Sequence, residues 1–197
     1  MSRASPLTPK QRRATLLLAA RKVFAERGYH AASVSDIIET AGVARGTFYN
    51  HFESKRDVFA AVLAALMDEI SGVVERIDVL RPIDAQIDDN LRRVTGALAS
   101  AGDAVRILFT DALSVDKDGE EALAEFYTAA LSRIERALVR GMGIGVVRPG
   151  DEKQRARCLL GMVKEPVMQA RLAGESLDAE ALAMAIKGIL RGGVLVV

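Results

Sequence analysis

A chain of 197 residues that is 50% hydrophobic and carries a formal net charge of only +1 has enough apolar content for a sizeable core, which excludes a disordered or fibrous chain. One cysteine excludes an internal disulfide, and two histidines beside it are too few for the usual zinc clusters. No apolar stretch approaches the roughly 20 residues that span a bilayer, and Met1 to Gln11 is too polar to open a secretory signal, so the expectation is a cytoplasmic protein with no membrane contact, no metal and no cofactor.

The small net charge conceals an asymmetry. Residues 1–57 carry ten Lys/Arg against five Asp/Glu, whereas the rest of the chain carries 17 against 21. The N-terminal part is therefore suited to a polyanion, although charge alone is equally explained by a solvated basic surface. Trp is absent, aromatics make up 5%, and the abundant Ala, Leu, Arg and Glu are the residues that cost least in a helix. The composition predicts an all-α fold.

In chain order, Thr8-Pro9-Lys10-Gln11 supplies a capping hydroxyl, a proline at the first helical position and a glutamine three residues on, so a helix begins here. Gly28 ends it. Leu16, Leu17, Ala20, Val23 and Phe24 form its apolar stripe, with Arg12, Arg13, Arg21 and Lys22 outward. Ser33-Val34-Ser35-Asp36 is a second capping box, and Val34, Ile37, Ile38 and Ala41 follow at helical spacing. Gly42 provides a left-handed turn, and a third helix over about Arg45 to Phe52 turns Phe48 and Phe52 inward. Two short helices joined by a glycine turn make a helix-turn-helix.

Ser54-Lys55-Arg56-Asp57 caps a long fourth helix whose apolar pattern runs through Leu63, Leu66, Ile70 and Val74 towards Leu80, with Pro82 marking its end. Further helices are expected at about 83–100, 103–115, 119–141, 151–173 and 178–193, about nine in all. Asp178 caps the last, with Leu177 and Leu182 as its hydrophobic staple. Pro166 is expected to kink or divide the eighth. Cys158 reads as a buried small residue rather than a redox switch.

The second helix of a helix-turn-helix lies in the major groove, its early side chains reaching base edges while neighbours hold phosphates. Arg45, Thr47, Tyr49, Asn50 and His51 face outward there and carry hydrogen-bonding groups, and Gly46 lets backbone approach a duplex closely. Helix starts at Ser33 and Ser54 add partial positive charge suited to phosphate. Phe48, Phe52, Val43, Ile37 and Ile38 are core. Tyr49 and Arg45 remain open to packing or solvated roles.

The run Ala41-Gly42-Val43-Ala44-Arg45-Gly46-Thr47-Phe48-Tyr49-Asn50-His51-Phe52-Glu53-Ser54-Lys55 resembles the signature of the TetR/AcrR family of transcriptional regulators. The likeness extends back through Gly28-Tyr29 to the Val23-Phe24 and Ala19-Ala20 pairs, about 45 residues, and beyond it rests only on length and helical rhythm. It implies that Thr47, Tyr49 and His51 touch phosphates or bases, that Arg45 and Asn50 read bases, that Lys55 binds a phosphate, and that Ser33 and Ser35 meet the backbone. Ala44 departs from the pattern, because the family commonly has a capping Ser or Thr there.

The resemblance also implies the organisation: residues 1–55 as a DNA-binding domain and 56–197 as a helical effector-binding and dimerisation domain. Partners follow as double-stranded operator DNA, a small-molecule effector and a second copy held through the last two helices. Leu177, Leu182, Ile186, Ile189 and Leu190 form the apolar face there, with Ala156, Gly161 and Ala170 permitting close approach. Leu91, Leu98, Val105, Phe109, Leu113, Phe126, Tyr127 and Met162 are candidate lining residues of an aliphatic or mixed effector cavity, and fill the core equally well; Arg106, Thr110, Asp111 and Glu165 lie near enough to orient a polar group. An enzyme lacks support, since there is no Gly-rich phosphate loop, metal-spaced cluster or nucleophile beside a base. A helical adaptor without sequence-specific DNA binding is the rival reading.

Overall fold

The computed structural model describes residues 8–102, 105, 107 and 117–196. Among these are eight helices and one isolated β-bridge, so the expected all-α class holds. The helix expected at 103–115 lies almost wholly outside the described residues.

Helix α1 (Pro9–Ala31) begins where the sequence places it: the Gln11 N–H donates to the Thr8 hydroxyl at 3.3 Å and the Gln11 amide oxygen accepts from the Thr8 N–H at 2.8 Å. Regular helix gives way at Gly28, whose φ of 75° and ψ of 166° lie in a region open essentially to glycine alone. Helix α2 (Val34–Ala41) starts at Ser33. The Asp36 carboxylate accepts from the Ser33 N–H at 2.8 Å and the Ser33 hydroxyl accepts from the Asp36 N–H at 3.1 Å. Gly42, at φ 63° and ψ 34°, closes α2 in the left-handed conformation.

Helix α3 (Arg45–Tyr49) is shorter than expected. The His51 N–H donates to the carbonyl of Phe48, three residues back, at 2.9 Å, so the last turn tightens before Phe52. Phe48 and Phe52 still point inward, with ring centroids 5.8 Å apart. Helix α4 (Lys55–Gly72) is capped by Ser54 and Asp57: the Asp57 N–H donates to the Ser54 hydroxyl and the Asp57 carboxylate accepts from the Glu53 N–H.

The expected run of α4 to Leu80 is overturned, because the helix stops at Gly72. The backbone of 73–82 is instead taken up by side chains of helix α5 (Ile83–Ala101). Asn90 pairs with both the N–H and carbonyl of Glu75. The Gln86 amide oxygen accepts from the Asp78 N–H while its nitrogen donates to the carbonyls of Asp78, Arg81 and Pro82. Val74, Val79 and Leu80 keep helical spacing in sequence, yet Leu80 is 91% exposed. Their period reflects no buried face.

The remaining helices are α6 (Lys117–Gly143), α7 (Glu152–Leu172) and α8 (Ala179–Gly193), near the expected bounds. Asp151 caps α7 and Asp178 caps α8. Pro166 does not divide α7, which continues through it. Proline removes one N–H from the ladder, and the bonds on either side keep the helix whole. Cys158 is exposed rather than buried.

The chain forms two compact units. The first comprises residues 1–65 and 103–124, the second 66–102 and 125–197. In the first, Phe24, Tyr29 and Phe59 pack with centroids 4.5 to 5.8 Å apart, beside Leu16, Ile37 and Phe48, which are fully buried. Aromatic pairs of this kind are each worth about 0.5–1.5 kcal/mol beyond their buried area. In the second, Leu138, Val147, Ala156, Leu182, Ile186 and Leu190 belong to one core cluster. The chain end crosses the α6–α7 connection there: the Arg148 N–H donates to the Val194 carbonyl and the Val196 N–H to that of Val146.

Candidate nucleic-acid interface

The first unit presents α3 outward. Arg45, Gly46, Tyr49 and Asn50 are exposed, Thr47 and His51 are half-buried, and only Phe48 is wholly inside. This division is dictated locally. Gly42 turns the chain, and Phe48 and Phe52 anchor one side of the turn in the core, which leaves the polar side to solvent. A Cβ added at Gly46 meets no atom within 4 Å, so packing within the protein does not require glycine there.

Arg45 and Tyr49, one helical turn apart, are brought together: the guanidinium carbon lies 5.7 Å from the ring centroid. Tyr49 in turn meets the edge of Phe48 at 5.3 Å and 83°. Ser33 is exposed at the start of α2 with its hydroxyl engaged in capping, donating to the Asp36 carboxylate at 2.7 Å. Ser35 is exposed beside it. Arg27 pairs with Asp36 at 2.7 Å. The Asp36 carboxyl is held below its ordinary 3.8 chiefly by the hydrogen bonds from Ser33, with the Arg27 charge acting in the same direction.

Lys55 has a structural role that the sequence did not disclose. Its ammonium donates to the Tyr29 carbonyl at 3.0 Å and sits 4.2 Å from the centroid of that ring, tying the start of α4 to the chain just after the Gly28 break. Arg13 was likewise missed: its guanidinium lies 5.1 Å from the Phe52 centroid. The basic, outward-facing pattern of α1 is the only signal in the sequence for it.

In the second unit, the candidate lining residues are distributed unevenly. Leu98 and Phe126 are buried, and Leu91 and Met162 are partly buried against the core cluster. Tyr127 meets Phe126 edge to face at 5.5 Å and lies under the Lys164 ammonium at 5.2 Å; burial pushes its phenol up to about 12. Val105 is buried but belongs to the first unit. Phe109, Leu113, Arg106, Thr110 and Asp111 lie outside the described residues, and Glu165 is exposed.

A cleft of about 310 Å³ between α5 and α8 is lined by Leu91, Arg92, Met184, Lys187 and Arg191, among others. Its cations are paired: Lys187 with Asp84 and Asp88, Arg191 with Asp84, and Arg92 with Glu180. This is a charged surface cleft, unlike the aliphatic cavity expected.

The apolar face expected on the last helices is corrected in part. Leu182, Ile186 and Leu190 are buried in the unit's own core, and so is Ala156, whereas Leu177 is half-buried. Core and partner faces share the same helical spacing, so sequence could not separate them. Ile189, Met184 and Leu172 are exposed, with Ala181, Ala185, Gly188 and Gly161 exposed as well. No described helix is long and apolar enough to cross a membrane.

This architecture, a helix-turn-helix followed by a helical second unit, is that of one-component regulators, and comparison with known proteins agrees. Residues 16–62 match the family described as bacterial regulatory proteins, tetR family. The chain is 44% identical over 72 residues to the HTH-type transcriptional activator FasR of Mycolicibacterium smegmatis, a match covering 36% of this chain and 33% of that protein. It thus spans about a third of the length of the first curated relatives it matches. It is 26% identical over 181 residues to the fatty acid metabolism regulator protein of Bacillus subtilis, covering 89% of this chain and 92% of that one. A putative TetR-family transcriptional regulator from Syntrophomonas wolfei has the same fold, with a TM-score of 0.82 over 96% of this chain and 100% of that one at 24% identity. The chain belongs to the tetR family of bacterial regulatory proteins.

Proposed function

We propose that the protein is a transcriptional regulator that binds a palindromic operator as a homodimer and is released from it by a small-molecule effector. The observation that carries this reading is the exposed row Arg45, Tyr49 and Asn50, with Thr47 and His51 beside it, on a helix fixed by Gly42 and the buried Phe48. In this reading residues 1–55 bind DNA and 56–197 bind the effector and the second copy. Arg45 and Asn50 read bases. Thr47, Tyr49, His51, Ser33, Ser35 and Lys55 hold phosphates, and Gly46 admits the backbone. Such a protein acts in the cytoplasm, where bacterial DNA resides, and has no enzymatic role.

Support for dimerisation comes from the exposed Met184 and Ile189 on α8, since symmetric pairing is the commonest way to cover such a face. Two copies of α3 would then enter successive major grooves about 34 Å apart. For the effector, the relative named as a fatty acid metabolism regulator and the aliphatic character of Leu91, Leu98 and Met162 favour a long-chain acyl compound. Selection of random duplexes by the purified protein tests the core of the proposal. Enrichment of a palindrome with half-sites about one helical turn apart supports it; no retained duplex even at low salt leaves the adaptor reading. A panel of acyl chains added to the operator complex tests the effector class, which fails if none changes operator affinity.

A further inference from the structure

The Arg45–Tyr49 pair carries an inference about what the operator contains, and it rests on the reading that α3 enters the major groove. An exposed arginine normally samples many rotamers, and α3 is a helix of five residues with no side-chain cap at its start. Arg45 nevertheless lies against the ring of Tyr49, at 5.7 Å from its centroid. That ring is braced from the core side by the edge of Phe48, at 5.3 Å and 83°, and Phe48 is fully buried. The brace therefore runs from the core of the first unit through two rings to a guanidinium on the surface. At an exposed site such a contact favours the stacked arrangement about two- to fivefold.

A guanidinium is a planar fork of donors without an acceptor. In the major groove, only guanine offers two adjacent acceptors, N7 and O6, to such a fork; adenine offers one acceptor beside a donor. We propose that Arg45 reads a guanine in each half-site and that Tyr49 is its positioning residue, with the ring rather than the phenol hydroxyl supplying the function. This parts company with the role the resemblance implies for Tyr49, a direct contact with phosphate or base. The two roles make opposite demands on the hydroxyl. A phosphate contact needs it; a ring that orients the fork does not.

The experiment is a duplex selection, followed by affinity measurements on every single-base variant of the selected half-site. It compares the full-length protein with Arg45→Ala, Tyr49→Phe and Tyr49→Ala, each checked for native melting. The wild type is expected to require a G·C pair at one position per half-site. Arg45→Ala should reduce the preference at that position alone, by about 5- to 150-fold. Tyr49→Phe should retain it, and Tyr49→Ala should weaken it about two- to fivefold without moving the other positions. Should Tyr49→Ala fail to fold, the Tyr49→Phe and Arg45→Ala measurements still decide. The proposal is overturned if Arg45→Ala weakens all duplexes alike, if the base it controls is not guanine, or if Tyr49→Phe loses affinity for every sequence. A wild-type protein that binds no duplex overturns the major-groove reading and this inference with it, whereas duplex binding without a required guanine overturns this inference alone.

Discussion

Ala44 and Gly46 flank the start of the recognition helix, and each sets stability against function in a different way. Ala44 has the extended backbone of a capping residue, φ −71° and ψ 150°, and offers no side-chain acceptor. Ala44→Ser is expected to raise stability by about 1 kcal/mol, read as a higher denaturation midpoint with an unchanged m-value. A melt that does not move would mean that the start of α3 is already ordered by Phe48 and Phe52. Gly46 has open space where a Cβ would lie. Gly46→Ala should therefore stabilise α3 by about 0.5–1 kcal/mol while weakening operator binding, because the new methyl occupies the space a duplex would use. Tighter melting together with unchanged DNA affinity would place the duplex elsewhere.

At the level of elements, caps and ion pairs make stability depend on acidity. Asp36 at the start of α2 is held below its ordinary carboxyl range by the Ser33 hydrogen bonds, Glu75 by Arg93, and Asp84 on α5 by Arg191 and then Lys187 of α8. Each folded-state value is depressed, so each contribution is fully present above the unfolded value and is lost as pH falls through the folded one. Thermal midpoints are expected to stay level from neutral pH down to about pH 5 and to decline below about pH 4. Asp84→Asn should flatten the acid part of that decline, since a group that cannot titrate contributes no pH dependence. An unchanged acid profile in that variant would assign the decline to other carboxylates. The α4–α5 connection shows the limit of pattern reading at this scale. Val74, Val79 and Leu80 continue the helical period of α4, but Asn90 and Gln86 supply hydrogen bonds that an extended backbone needs and a helix does not.

For the whole molecule, the proposed dimer and its operator make two further predictions. Ile189 is 54% exposed in the face of α8 that holds Met184 and Gly188. Ile189→Glu is expected to shift the protein towards monomer in equilibrium sedimentation and to lower operator affinity, while the melting of each subunit changes little because the site is outside the core. Retention of the dimer by this variant would move the partner surface to another face. Six or more phosphate contacts per dimer predict that the logarithm of the binding constant falls with the logarithm of salt concentration with a slope of about −5 or steeper. Effector and operator should weaken each other by the same factor, measurable by titrating the effector with and without operator duplex.

Much of the DNA-binding half was legible in the sequence because its determinants are local. A capping hydroxyl three residues from its partner, a glycine where φ must be positive, and two phenylalanines one turn apart act over distances that the sequence states directly. Thr8, Ser33, Gly28, Gly42, Phe48 and Phe52 accordingly fold as the sequence predicts. Only tertiary structure decided the rest. Whether the apolar spacing on α8 serves the core or a partner depends on which side faces α5; the structure gives Ile186 and Leu190 to the core and leaves Ile189 outside. The tie from Lys55 to the Tyr29 carbonyl spans 26 residues, and the stack of Arg13 on Phe52 joins α1 to the end of the helix-turn-helix. Such contacts depend on where helices pack, and packing is a property of the assembled chain rather than of any segment.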